Sequence, residues 1–171
     1  MAGLLLVVSL SRCQGTVNFA NAGATFSAPF YDYDGVTRLS GSRYMAELLA
    51  GTSTASMAPA GSPTPFLAGG GAGFFNGGVV AILSVAPGSI GFFQVRVWDT
   101  TVGATYSAAQ SAGLGYGFSN IFSGPTGGVG TPPSSPTSLA GLQQSFTLIP
   151  EPSIYALLAL GGVAMFFRRR K

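Results

Sequence analysis

Along residues 90–99, IGFFQVRVWD, apolar Phe93, Val95 and Val97 alternate with Gln94, Arg96 and Trp98. That period of two predicts a strand with one face in a core and the other turned outward. Shorter runs rich in β-branched and aromatic residues, separated by Gly, Pro, Ser and Asn, predict further strands at 16–19, 25–31, 43–50, 78–83, 117–122 and 144–149. One short helix is expected over 106–112, YSAAQSA, which is Ala-rich and punctuated by Gly103 and Gly113. The stretches 52–65 and 123–136 are dominated by Gly, Pro, Ser and Thr and read as loops. The pattern as a whole predicts an all-β domain over 16–149, an antiparallel β-sandwich or a jelly-roll-like fold with one short helix.

Two apolar runs depart from this alternation. Residues 3–10, GLLLVVSL, have the length of a signal-peptide core and precede Ser11, Arg12, Cys13, Gln14 and Gly15. No positive n-region stands before them, so residues 1–15 read as a truncated export signal, with a buried N-terminal strand as the alternative. Cys13 lies where a lipoprotein box would place it, but Arg12 replaces the small residue needed ahead of a lipidated Cys.

The second run, IYALLALGGVAMFF at 154–167, holds no charged residue and is followed by Arg168, Arg169, Arg170 and Lys171. A single transmembrane helix is expected over 153–167, with 168–171 as its basic tail. Residues 154–167 as a helix would span roughly 21 Å, short of the ~30 Å hydrocarbon core, a gap that snorkelling arginines or local thinning of the bilayer would close. The basic cluster should stay in the cytoplasm by the positive-inside rule, leaving 16–149 outside, in agreement with the export signal. A buried C-terminal helix is disfavoured by four consecutive cations directly after the run. Pro150 and Pro152 disfavour helix around Glu151, so the approach to the membrane should be extended and open to recognition.

Charge and composition narrow the chemistry. Charged residues make up 8% of the 171, against roughly 25% in ordinary soluble domains, and there are 26 Gly and 11 Pro. The chain has no His and one Cys, which removes the commonest general base, the commonest metal ligand and any internal disulfide. An enzyme is therefore not expected, and neither is a cofactor or metal. The formal charge of +3 is concentrated at the ends; between 16 and 149 stand Arg38, Arg43 and Arg96 against Asp32, Asp34, Glu47 and Asp99. No basic face is available there for nucleic acid.

Within the domain, Gly69 to Gly73 read GGGAG, but Phe74, Phe75 and Asn76 follow where a phosphate-binding loop needs Lys and Ser or Thr. Asp32 and Asp34 flank Tyr33 and form the one carboxylate cluster. An EF-hand spacing is absent, a Ca²⁺ site completed by carbonyls stays open beside a plain surface turn, and no facing acid can be placed for glycoside hydrolysis. Tyr31, Tyr33 and Trp98, with Tyr44, Tyr106 and Tyr116, are candidates either for stacking on sugar rings or for the core. The Ser, Thr and Pro of the two loops would also suit O-glycosylation.

Pro150, Glu151 and Pro152, then an apolar segment with Gly161 and Gly162, then the Arg168 to Lys171 cluster resemble the PEP-CTERM sorting signal of exported bacterial proteins, whose tail is also catalogued as the C-terminal domain of ice-binding proteins. The resemblance covers about 149–171, and Pro150, Glu151 and Pro152 are its motif residues. It implies recognition by an exosortase-type membrane protease, anchoring in the inner membrane before processing, and delivery to the cell surface or an exopolysaccharide matrix. The order of YMAELLAG, GFFNGG, FFQVRVWD and an Ala-rich helix before GLQQSF also resembles ectodomains that carry this tail. A structural or adhesive role is expected, with a carbohydrate- or ice-binding module as the alternative and an exported hydrolase third. No regular Thr-x-Thr repeat supports the ice reading.

Overall fold

The computed structural model describes residues 14–23 and 26–149. Its elements are β1 (Gly15–Ala20), β2 (Tyr44–Gly51), β3 (Ala58–Pro65), β4 (Asn76–Ile82), β5 (Ile90–Asp99), α1 (Tyr106–Ala112), β6 (Tyr116–Phe118), β7 (Phe122–Pro125) and β8 (Thr137–Ser138). Three strands form one sheet in the order β4-β1-β8. The other sheet runs β3-β2-β5-β6, with β7 also paired to β5.

β5 is the spine of the larger sheet. It pairs along its length with β2, from Tyr44 opposite Asp99 to Gly51 opposite Phe92. The alternation read from the sequence decides what each face does. Phe93, Val95 and Val97 are fully buried and meet Ala46, Leu48 and Ala50 of β2 with Val17, Phe19, Val80 and Ile82 of the smaller sheet in one apolar cluster. The two sheets thus share a core between their apolar faces, as stacked sheets must to remove those faces from water. Five Phe rings close one end of it: Phe30 lies 4.3 Å from Phe146 and 5.8 Å from Phe75, which in turn contacts Phe19 at 4.7 Å and Phe66 at 5.6 Å.

α1 follows the expected bounds because its ends are chemically marked. Thr105 caps the N-terminus by accepting a hydrogen bond from the Ala108 amide, and Gly113 ends the helix in the left-handed conformation at φ 80°. The helix covers the outer face of β5 near its end, where Trp98, Tyr106 and Ala109 form a second, smaller core.

Several expectations need correction. The pairing is not purely antiparallel, because β8 runs parallel to β1, with Val17 opposite Thr137 and Asn18 opposite Ser138. Residues 58–65, read as loop, form β3; as an edge strand bonded only to β2 it tolerates Pro59, Pro63 and Pro65, and Gly61 at φ 73° sits where its register shifts. The strand expected over 117–122 splits into β6 and β7, both paired to β5. Buried Ser119 makes the break: its hydroxyl accepts from the Val95 amide where a backbone carbonyl would otherwise stand. β7 in turn carries pairing into residues 123–125, the start of the stretch 123–136 read as loop.

Among the described residues of 25–31 there is no named strand, since the amides of Ala28, Phe30 and Tyr31 find partners on three different segments, at Asn21, Gly73 and Phe146. Residues 144–149 make one isolated bridge rather than a strand of their own. Among the described residues no helix is long and apolar enough to cross a membrane. The helix expected over 153–167 and most of the export signal lie outside the described residues.

Candidate functional site

The last described residues are built into the domain. Tyr31 donates its amide to the Phe146 carbonyl and accepts from the Leu148 amide, while Ile149 donates to the Tyr116 carbonyl and accepts from the Gly115 amide. Leu148 is buried in the main core and Phe146 packs against it. Residues 146–149 therefore bridge the segment before Tyr31 and the edge of β6, and the fold continues up to the residue before Pro150. Pro150, Glu151, Pro152 and the cluster of Arg168, Arg169, Arg170 and Lys171 lie outside the described residues.

The four described carboxylates, Asp32, Asp34, Glu47 and Asp99, are committed to internal bonds. Asp34 accepts from the Val36 and Thr37 amides and from the Thr37 hydroxyl, which holds its pKa below the ordinary 3.8 and fixes the turn at 34–37. Asp32 accepts from the Tyr44 hydroxyl at 2.7 Å and from the Tyr33 amide. Burial and that hydrogen bond raise the Tyr44 pKa far above its usual range. Asp99, buried at the end of β5, accepts two bonds from the Arg43 guanidinium and two from Thr101. Glu47 pairs with Arg96 directly across the β2–β5 ladder. Among the described residues no group of three His, Cys, Asp or Glu is placed to hold a metal.

The three candidate aromatics are not brought together. Tyr33 is 63% exposed on the 32–37 loop, Tyr31 is half-buried, and Trp98 is only 4% exposed beneath α1. Trp98 does line one cleft, of about 190 Å³, with Glu47, Pro63, Arg96, Thr105 and Tyr106. There the Arg96 guanidinium stands over the Tyr106 ring at 4.5 Å, and Arg96 Nε and Trp98 Nε1 are buried donors without a hydrogen-bond partner among the described residues. Burial raises the Tyr106 pKa, with the Arg96 charge opposing it. Glu47 and Arg96 were not singled out in the sequence, although opposite charges at outward positions of two strands were a usable signal.

Residues 148–171 match the PEP-CTERM protein-sorting motif. No curated protein and no solved structure matches the chain. The PEP-CTERM match confirms the resemblance drawn from Pro150, Glu151, Pro152 and the tail beyond them. Such signals are processed by an exosortase, a membrane protease, so the motif supports an exported protein that is handled at the membrane and then reaches the surface. Its first two residues, Leu148 and Ile149, are the last two described residues and are bonded into the β domain. The sorting signal and the β fold overlap, with no linker between them.

Proposed function

We propose that this chain is an envelope protein held in the inner membrane by the helix at 153–167 until an exosortase-type protease processes it, after which its β domain serves a structural or adhesive role at the cell surface or in an exopolysaccharide matrix. The match of 148–171 to the sorting motif carries the reading. The commitment of Asp32, Asp34, Glu47 and Asp99 to internal hydrogen bonds supports a role without catalysis, since none is left facing a cleft as an unpaired acid or base.

The motif itself supplies the test. A plain tail anchor needs only apolar length and flanking cations, so replacing Pro150, Glu151 and Pro152 with Ala would leave its insertion nearly unchanged. A processing signal is read through its extended backbone and the Glu151 carboxylate. In a host that encodes an exosortase, immunoblotting should show a smaller mature form for the native chain and only the full-length form for the triple-Ala variant. Identical maturation of both would leave a simple anchor as the better account.

The cleft beside Arg96 favours a second reading, a carbohydrate-binding module. A guanidinium over a Tyr ring beside a partly buried carboxylate suits a polyhydroxylated ligand. Binding on a glycan array that Arg96→Ala lowers at least tenfold would support it, and no binding above background would sink it.

A further inference from the structure

We propose that the 32–37 loop is a membrane-contacting surface, with Tyr33 and Val36 seated among lipid headgroups beside the point where the unprocessed chain enters the bilayer. This rests on the anchoring reading above. The first observation is direction. Tyr31 and Thr147 form a parallel bridge, so residues 147–149 run the same way as 31–33 and the chain leaves the domain toward the loop. The two segments stay close, since a Cβ on Gly35 would lie 3.8 Å from Thr147 Cγ2.

The second observation is length. Four residues, 150–153, separate Ile149 from the apolar run that begins at Ile154. Even fully extended, the steps from Ile149 to Ile154 reach roughly 17 Å. The headgroup layer takes up several ångströms of that distance, so the exit end of the domain is held against the membrane surface.

The third is what that end presents. Tyr33 is 63% exposed and Val36 79%, on a loop braced by the Asp34 bonds and by backbone bonds from the Asp32 amide to the Thr37 carbonyl and from the Gly35 amide to the Asp32 carbonyl. A Tyr ring with an apolar body and a polar tip is the side chain that favours the membrane–water boundary. A braced loop loses little conformational freedom on insertion. Leu83, 70% exposed, lies at the other end of the domain: it follows Ile82, which pairs with Gly15 at the start of β1. That end adjoins the start of β5, since Thr16 bridges Gly127 and Thr126 bonds to Ser89. The tether enters beyond the far end of β5, where Asp99 bonds to Gly115 and Gly115 to Ile149.

The experiment uses the full chain with Cys13→Ser and one added cysteine, Tyr33→Cys or Leu83→Cys, each carrying an environment-sensitive dye. Both sites are exposed, so circular dichroism should match the native chain. In vesicles of phosphatidylethanolamine and phosphatidylglycerol, the dye at position 33 should shift to the blue and be quenched by lipids spin-labelled near the headgroup. The quenching should be at least threefold stronger there than at position 83. Equal quenching at the two positions in protein that floats with the vesicles overturns the loop contact and leaves the anchoring reading standing. Failure to float overturns the anchoring reading and the loop contact with it. A shift at position 33 that needs a co-reconstituted exosortase would assign the loop to the protease and overturn the lipid contact.

Discussion

Asn21 shows how a single polar side chain can hold an irregular region together. It is fully buried, its Nδ2 donates to the carbonyls of Ala28 and Gly73, and its Oδ1 accepts from the Phe75 amide, all at 2.7–2.8 Å. The side chain thus replaces the ladder bonds that residues 26–31 and 73–75 would have made as strands. Truncation would leave the Ala28 carbonyl and the Phe75 amide without partners in the interior and take from the Gly73 carbonyl one of its two donors, the other being the Phe30 amide; each orphaned group costs about 1–3 kcal/mol. Asn21→Ala is expected to lower stability by about 3 kcal/mol, read from the urea midpoint with an unchanged slope. Asn21→Leu keeps the volume and should not rescue it. A loss below about 0.5 kcal/mol for either variant would mean that the orphaned backbone groups find other partners.

Between elements, the link that joins the start of β2 to the end of β5 is the Arg43–Asp99 pair. Burial pushes the Asp99 pKa upward, but the bonds from Arg43 and Thr101 pull harder, and the net shift is downward from 3.8. A carboxyl whose folded pKa lies below its unfolded value stabilises the fold above the unfolded value, and that contribution fades as pH falls through the folded one. Stability of the native domain should therefore drop below pH 3.8, and Asp99→Asn should be less stable at neutral pH with a flatter acid limb. Urea midpoints taken from pH 6 to pH 2 check this; parallel limbs would show that Asp99 does not titrate differently on folding. Asp34 has a lowered pKa as well, so a shallower slope should remain in the variant.

The same elements show what the sequence made legible. β5 and α1 were readable because their signals are local, a period of two in one and an Ala-rich run punctuated by Gly103 and Gly113 in the other. β3 was not, because Pro59, Pro63 and Pro65 are tolerated only through its place at a sheet edge, and edge position is a property of the assembled sheet. The apolar character of 144–149 was visible, yet its parallel bridge to Tyr31 depends on a contact more than a hundred residues away in the chain. The sorting motif was legible in full, since a sorting signal must be read by another protein along an extended chain. The cleft at Arg96 was not, because it exists only once β2, β5 and α1 are packed.

For the whole molecule, the consequence is that folding and sorting share residues. Leu148 belongs to the main core and half-buried Phe146 packs against it, and Tyr31, Gly115 and Tyr116 lose backbone partners if 146–149 are removed. A domain ending at Ser145 would open the five-Phe cluster through the loss of Phe146 and leave a cavity where Leu148 stood. Removing the buried Leu148 side chain costs about 2–5 kcal/mol, and the loss of the half-buried Phe146 ring and four backbone bonds with it approaches the 5–15 kcal/mol that holds a typical domain folded. A domain ending at Ile149 keeps every one of these contacts. The fragment 14–149 is therefore expected to unfold cooperatively with β-type circular dichroism, and 14–145 to be largely unfolded or to melt at least 15 °C lower. The comparison also limits the processing step. A protease that cut before Leu148 would release a domain stripped of its closing residues, so the mature protein should end at or after Ile149, as mass spectrometry of its C-terminal peptide would show. A mature end at Ser145 or earlier, in a protein that is still folded, would refute the role assigned here to Phe146 and Leu148.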